Sequence, residues 1–310
     1  MSGVVAGVDV GGTNVGAGLV DAEHRVIHRS KGPTPGSVDE LVDGIEAMLG
    51  ESSGTFESVG LGIPGIIDGG RVVQAPNLEG WDDDTDVPAL LRERLGVPVV
   101  LVNDAQAGVL GEWVAGAAKG FRNVLGVWLG TGVGGGLVLD GRGYDGAGGG
   151  SGELGHVVVQ PGGARCGCGR RGCLEAYAGR RMMTESVLAM QSAGRATRLF
   201  EIQDRKGKTK ATSGVWAAAL EEGDEVVGEV LAEAVWALGV AVGSSLNLLD
   251  LDRVVIGGGM AEKFGARLAG RVADAARAHS VRPVGEEVVV VAELGESSGL
   301  VGAAHVARSS

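Results

Sequence analysis

The three cysteines of this 310-residue chain, Cys166, Cys168 and Cys173, lie close together and follow His156. One imidazole and three thiolates form the donor set of a closed, tetrahedral structural zinc site. Gly167, Gly169 and Gly172 would let a short loop wrap the ion. An odd, clustered set of cysteines makes a poor disulfide framework. Three unligated thiols are the plainer alternative. Four protein ligands leave no open coordination position, so the metal is assigned no Lewis-acid role. Glu153 and Glu175 flank the set, either as carboxylates that a metal-bound loop holds in a polar pocket or as exposed helix residues.

Two glycine-rich turns could hold an anion through backbone N–H groups. In Asp9-Val-Gly-Gly-Thr-Asn14 a strand delivers a carboxylate to a turn. Gly11 and Gly12 allow close approach there, Thr13 and Asn14 add polar side chains, and Asp9 suits a hydrated Mg²⁺ beside phosphates. An ordinary hairpin turn is the alternative. Gly130-Thr-Gly-Val-Gly-Gly-Gly136 is the second such turn, with Gly130, Thr131, Gly132, Gly134 and Gly135 as candidate contacts. A strand follows it, where a dinucleotide fold would have a helix, which disfavours that fold. No G-x-x-x-x-G-K-[ST] pattern occurs. At Asn103-Asp104 an apolar strand ends and a helix begins. Asp104 is either a general base toward a substrate hydroxyl or the cap of that helix.

The elements that would position these residues read as α/β. Residues 4–10, 15–20 and 25–29 are predicted strands forming an antiparallel meander, followed by a helix at 37–49 and a strand at 58–63. A short helix at 87–95 carries Pro88 in its first turn. The apolar run 97–102 reads as a central strand, and 104–117 as a helix. Strands at 124–129 and 133–140, joined by the second glycine turn, repeat the grammar of 4–20 and point to a duplicated lobe. Residues 222–249 form a long helix, 253–256 a strand opening through Gly257-Gly258-Gly259 into a helix, 287–292 a last strand and 299–307 a closing helix. Residues 191–212 carry six Lys or Arg side chains, among them Arg195, Arg198, Arg205 and Lys210. They read as a solvated loop or hairpin, with an electropositive flap as the alternative.

Composition bounds the function. With 27 basic and 39 acidic residues the net charge is −12, which argues against nucleic-acid or anionic-membrane partners. Mean hydropathy is +0.18 and hydrophobic residues make up 44%, enough for a sizeable core. Aromatics are 4%, so that core is built from Val, Leu, Ile and Ala. The 58 glycines sit in clusters between apolar runs and read as tight turns. The unbroken apolar stretch near 234–243 falls short of a membrane span. The first seven residues lack a signal pattern, so a cytoplasmic enzyme is expected.

Together these motifs resemble the ROK family of sugar kinases, most closely its bacterial ATP-dependent glucokinases. The matching stretches are 9–14, Gly62-Ile-Pro-Gly65, Pro76-Asn-Leu-Glu-Gly-Trp81, Asn103-Asp104, 130–136, Gly152-Glu-Leu-Gly-His156, Cys166-Gly-Cys-Gly-Arg-Arg-Gly-Cys-Leu-Glu175 and Gly257-Gly-Gly259. Asn14 stands where the family often has Lys, and 191–212 is longer than usual. The resemblance implies an actin-like ATPase fold of two RNase-H-like lobes with a central cleft. The lobes would be 1–118 with a final helix at 299–310, and 119–298 with a zinc loop at 156–173. It implies transfer of the ATP γ-phosphoryl to the 6-hydroxyl of D-glucose, with Asp104 as base. Asn103, Asp104, Glu153, His156 and Glu175 would bind the sugar. The turns at 9–14 and 130–135 would hold phosphates, and Gly258 and Gly259 would lie against adenosine. His156, Cys166, Cys168 and Cys173 would bind structural Zn²⁺, with Mg²⁺ on the nucleotide. A homodimer or homotetramer is expected. Other hexoses (N-acetylglucosamine, N-acetylmannosamine, mannose, fructose) or polyphosphate as donor are alternatives. A ROK-type sugar-sensing repressor is disfavoured, because the first phosphate turn begins at residue 9.

Overall fold

A computed structural model describes residues 3–52, 54–74 and 86–309; the stretch 76–81 lies outside them. In chain order the first elements are β1 (Val5–Val10), β2 (Asn14–Val20), β3 (Val26–Pro33), α1 (Val38–Gly50), β4 (Val59–Ile63), β5 (Ile66–Asp68) and β6 (Arg71–Gln74). Then come α2 (Val87–Leu95), β7 (Val99–Asn103), α3 (Asp104–Ala115), β8 (Val124–Leu129), β9 (Val133–Leu139) and β10 (Arg142–Gly143). A 3₁₀ turn Leu154–His156 leads to α4 (Glu175–Ala178), α5 (Arg180–Ser192), α6 (Leu199–Arg205), α7 (Ser213–Glu221) and α8 (Glu225–Leu249). The chain ends with β11 (Arg253–Gly257), α9 (Gly258–Arg277), β12 (Val289–Val291) and α10 (Ser298–Ser309). It divides into two compact units, 1–126 with 136–152 and 293–310, and 127–135 with 153–292.

The first unit carries a five-stranded sheet in the order β3-β2-β1-β4-β7. β1 to β3 form the expected antiparallel meander, and β1, β4 and β7 run parallel. Asp9 registers with Gly62, and Ile63 with Asn103. Asp9 and Asn103-Asp104 therefore sit at the carboxyl ends of parallel strands, the edge where open α/β sheets present ligand-binding groups. β7 is at the edge of the sheet, not its centre as the apolar run 97–102 predicts. Its apolar character answers to the helices α2, α3 and α10 packed on it rather than to strands on both sides. Helix ends follow local chemistry. Ser37 caps α1 by accepting from the Glu40 N–H, Asp86 caps α2 by accepting from the Ala89 N–H, and Gly96 closes α2 in the left-handed conformation.

Small residues let α10 press against both the sheet and α3. A Cβ at Gly60 would overlap the Ala303 carbonyl, and one at Gly302 would overlap that of Ala107. The join is completed by Glu112, a fully buried carboxylate of α3. Its Oε1 accepts from the Leu294 N–H at 2.8 Å and the Ser298 hydroxyl at 2.7 Å. Its Oε2 accepts from the N–H groups of Ala117 at 2.9 Å and Glu293 at 3.0 Å. Further along α3, the Gln106 amide accepts from the Leu137 N–H and donates to the Leu137 carbonyl at 2.7 and 2.9 Å, docking the helix on β9.

The second sheet has the order β10-β9-β8-β11-β12, with β8 and β9 running through both units. Its element order mirrors that of the first sheet, in line with the repeated strand-turn-strand grammar. Among the described residues only α8 has the length and hydropathy of a membrane span, yet 67% of its apolar window is buried. It is a core helix of the second unit, packed on α9, α5 and α4. The basic stretch 191–212, read from sequence as loop or hairpin, contains α6. Asp224 organises its entry, accepting from the Thr197 hydroxyl and the Arg198 N–H, both at 2.7 Å, while capping α8 through the Val227 N–H. Arg195 pairs with Glu229, and both Arg198 and Arg205 pair with Glu222. These contacts account for three of the cations without a polyanion.

Glu112→Gln sets an amide N–H against buried donors. It is expected to lower stability by about 2 kcal/mol in urea unfolding, with an unchanged m-value.

Candidate active site

In the first unit, the chain between β1 and β2 is a tight turn. The Gly11 N–H donates to the Asn14 carbonyl at 2.9 Å, the Thr34 N–H to the Thr13 carbonyl at 3.0 Å, and the Thr34 hydroxyl to the Gly11 carbonyl at 2.5 Å. Gly12, Thr13 and Asn14 are exposed at its tip. Asp9, just before the turn, packs against Gly299 at the start of α10, where a Cβ would lie 2.5 Å from Oδ2. Burial, with the negative charge of Asp104 adding to it, pushes the Asp9 carboxyl up to about 7, against the pull of Arg29 and Lys31. Two carboxylates crowded in this way are an environment that a divalent cation relieves, and Asp9 would hold Mg²⁺ there, directly or through its water shell.

Asn103 caps α3. Its Oδ1 accepts from the Gln106 N–H at 3.0 Å, and its Nδ2 donates to the Gly65 carbonyl at 2.9 Å. Asp104 Oδ1 accepts from the adjacent Ala105 N–H at 2.9 Å. The helix cap is therefore Asn103 and not Asp104, the cap that the sequence offers as the alternative to a general base.

In the second unit, the turn 130–132 is gripped from the N-terminus of α5. The Arg180 N–H donates to the Gly130 carbonyl at 3.3 Å and the Arg181 N–H to the Thr131 carbonyl at 3.0 Å. Glu175 Oε2 accepts from the Val133 N–H at 3.0 Å, so the carboxylate also braces this turn, and Gly132 leaves it the room to do so. Gly134 and Gly135 continue into β9. Gly258, at φ +84°, lies against the Leu129 backbone, and a Cβ at Gly259 would come 3.1 Å from the Ser213 hydroxyl.

His156, Cys166, Cys168 and Cys173 come together as the sequence predicts, with their donor atoms all within 4.8 Å of one another. Cys168 Sγ and Cys173 Sγ are 3.8 Å apart, and Cys166 Sγ is 3.8 Å from His156 Nδ1. A tetrahedron with Zn–S bonds of about 2.3 Å has edges of about 3.8 Å, so the four donors fit zinc. Burial pushes the Cys166 thiol up to about 12. At Cys168 desolvation is outweighed by hydrogen bonds from the Arg170 backbone and side chain, which bring it down to about 6. One thiolate is therefore available near neutral pH, and a cation would complete the set. His156 turns its other nitrogen, Nε2, toward Glu153 Oε2 at 3.8 Å. The ring thus lies between the Cys166 sulfur and the Glu153 carboxylate.

Sequence reasoning missed two residues beside the turn 130–132. Arg180 Nη2 donates to the Thr131 hydroxyl at 3.3 Å, and its Nη1 to the Ser213 hydroxyl at 3.1 Å. The available signal was an arginine at a helix start with no acidic residue in the first turn.

Two sheets of mirrored strand order, glycine turns at the ends of strands and a Cys₃His set that fits zinc are features of the actin-like ATPase fold. The ROK family description matches residues 5–310. A glucokinase of Streptomyces coelicolor is 34% identical over 99% of this chain and 98% of its own length. An N-acetylmannosamine kinase of Citrobacter koseri is 32% identical over 97% of each chain. The crystal structure of a ROK family glucokinase from Streptomyces griseus, in complex with glucose and AMPPNP, superposes with a TM-score of 0.84 at 32% identity. It covers 99% of this chain and 100% of that one. The chain belongs to the ROK family.

Cys168→Ser is expected to cut zinc, measured by atomic absorption on purified protein, from about one ion per chain to a small fraction of that. The raised Asp9 carboxyl also fixes a sign. The folded chain holds this proton more tightly than the unfolded chain, where Asp titrates at its ordinary 3.8. Wild-type stability contributed by Asp9 therefore falls as pH rises from about 4 to about 7. In Mg²⁺-free buffer, Asp9→Asn is expected to melt above wild type at pH 8 and to converge with it near pH 4, by scanning calorimetry.

Proposed function

We propose that the chain is an ATP-dependent glucokinase, transferring the γ-phosphoryl of ATP to the 6-hydroxyl of D-glucose. The observation that carries this reading is near-full-length similarity to glucokinases, including one solved with glucose and an ATP analogue. Asp104 accepts the 6-hydroxyl proton as that oxygen attacks the γ-phosphorus. The new O–P bond forms as the bond to the β-phosphate oxygen breaks, and ADP leaves. Asn103, Glu153, His156 and Glu175 bind the sugar hydroxyls, since ionised carboxylates accept several O–H hydrogen bonds. The turn 11–14 with Asp9, and Gly130, Thr131, Gly132, Gly134 and Gly135, hold the phosphates. Gly258 and Gly259 lie against the adenosine. Mg²⁺ supplies charge neutralisation on the nucleotide. His156, Cys166, Cys168 and Cys173 would hold zinc, which would fix the His156 ring for sugar binding.

ATP is favoured over a polyphosphate donor because Arg195, Arg198 and Arg205 are committed to Glu229 and Glu222. Similarity to an N-acetylmannosamine kinase supports a second reading in which the acceptor is another hexose. The same proposal takes the enzyme as cytoplasmic and as a dimer or tetramer, without nucleic-acid or membrane partners. Leu248 and Val281, 81% and 93% exposed, lie on neighbouring segments joined by the Val281 N–H to Asn247 hydrogen bond and offer apolar surface for self-association.

A coupled assay of ATP and polyphosphate against a hexose panel tests this reading, with ATP and glucose expected to give the highest kcat/KM. Asp104→Asn is expected to fold normally by circular dichroism and to lose about 10²- to 10⁴-fold in kcat. A variant with near-full turnover would remove Asp104 from the chemistry.

A further inference from the structure

Arg180 opens α5 with its guanidinium lodged between two hydroxyls, those of Thr131 and Ser213. Among the described residues no carboxylate pairs with it, and burial alone depresses its basicity. The first turn of α5 holds no acidic residue, and Arg181 follows directly. A cation at a helix N-terminus works against the helix dipole. Neutral hydroxyls orient a guanidinium but leave its charge uncompensated. The local charge balance of the second unit therefore calls for an anion at this point.

Its two anchors indicate which anion. Thr131 belongs to the turn 130–132, whose carbonyls are tied to the backbone of Arg180 and Arg181. Ser213 opens α7 beside Gly259, close enough that a Cβ at Gly259 would crowd its hydroxyl. The guanidinium is thus bracketed by the residues to which the proposed function gives phosphates on one side and adenosine on the other. Its planar fork suits the non-bridging oxygens of a phosphate chain, and the two hydroxyls orient it before any ligand arrives.

We propose that Arg180 is a nucleotide-binding residue that donates hydrogen bonds to the phosphate chain of ATP. This rests on the functional reading above. Binding of ATP, ADP and adenosine to wild type, Arg180→Met and Arg180→Lys by titration calorimetry tests it, with thermal unfolding as a check on folding. Arg180→Met is expected to weaken ATP and ADP by about 10- to 100-fold and adenosine by less than about twofold. Arg180→Lys, which keeps the charge but loses the fork, is expected to fall between. Equal losses for ATP and adenosine would show that Arg180 merely braces α5 and α7, and unchanged ATP affinity would exclude any contact. Either result overturns the proposal. Wild-type protein that binds nucleotide but phosphorylates no hexose would overturn the functional reading alone, and the ADP-to-adenosine comparison would still decide the role of Arg180.

Discussion

The acidic end of the first unit depends on one fully buried carboxyl group, that of Glu112. Among the described residues it is satisfied by three backbone N–H groups and one hydroxyl. Such a carboxylate is costly to bury and is tolerated only when every acceptor site is used. Satisfying it joins the C-terminal end of α3 to the segment that leads into α10. The N-terminal end of α3 presents Asp104, and the start of α10 abuts Asp9. One buried anchor thus holds the two helices on which the position of both carboxylates depends. The negative charge of Asp104 adds to burial in raising the Asp9 carboxyl, a repulsion that a divalent cation would relieve.

The second unit relies on a different constraint. The Cys₃His set would supply its irregular loop with a four-point tether once a metal binds. From that tether the chain runs directly into Glu175 and α5. Glu175 braces the turn 130–132 from one side and the backbone of Arg180 and Arg181 from another. The order of the chain here, metal loop, carboxylate, then arginine, is also the order in which these groups reach the glycine turn. The same carboxylate is offered to the sugar in the proposed function, which makes Glu175 a mechanical as well as a chemical link.

What the sequence revealed was mostly local. The β-branched runs ending in glycine turns, the apolar periodicity of α8 and the spacing of the cysteines all express contacts made within a few residues. Each was legible without a structure. The edge position of β7 was hidden because helix cover and strand cover produce the same apolar run. The helix α6 was hidden because its stretch draws on Glu222 and Glu229, distant in sequence, as well as on the local Arg198–Glu201 pair. Glu112 and Arg180 escaped notice for the same reason: all but one of the partners of Glu112 lie 181 to 186 residues away, and those of Arg180's side chain 33 to 49. The capping of α3 by Asn103 rather than Asp104 was hidden because the sequence does not fix which of two adjacent residues opens the helix.

The central claim is that the Asp104 carboxylate takes the proton of the sugar's primary alcohol. A crystal structure of the protein with glucose and a non-hydrolysable ATP analogue measures this most directly. The account predicts an Asp104 oxygen within about 3.2 Å of the 6-hydroxyl, on the side away from the γ-phosphate. A 6-hydroxyl bound to some other carboxylate, with Asp104 turned away from the sugar, would contradict it.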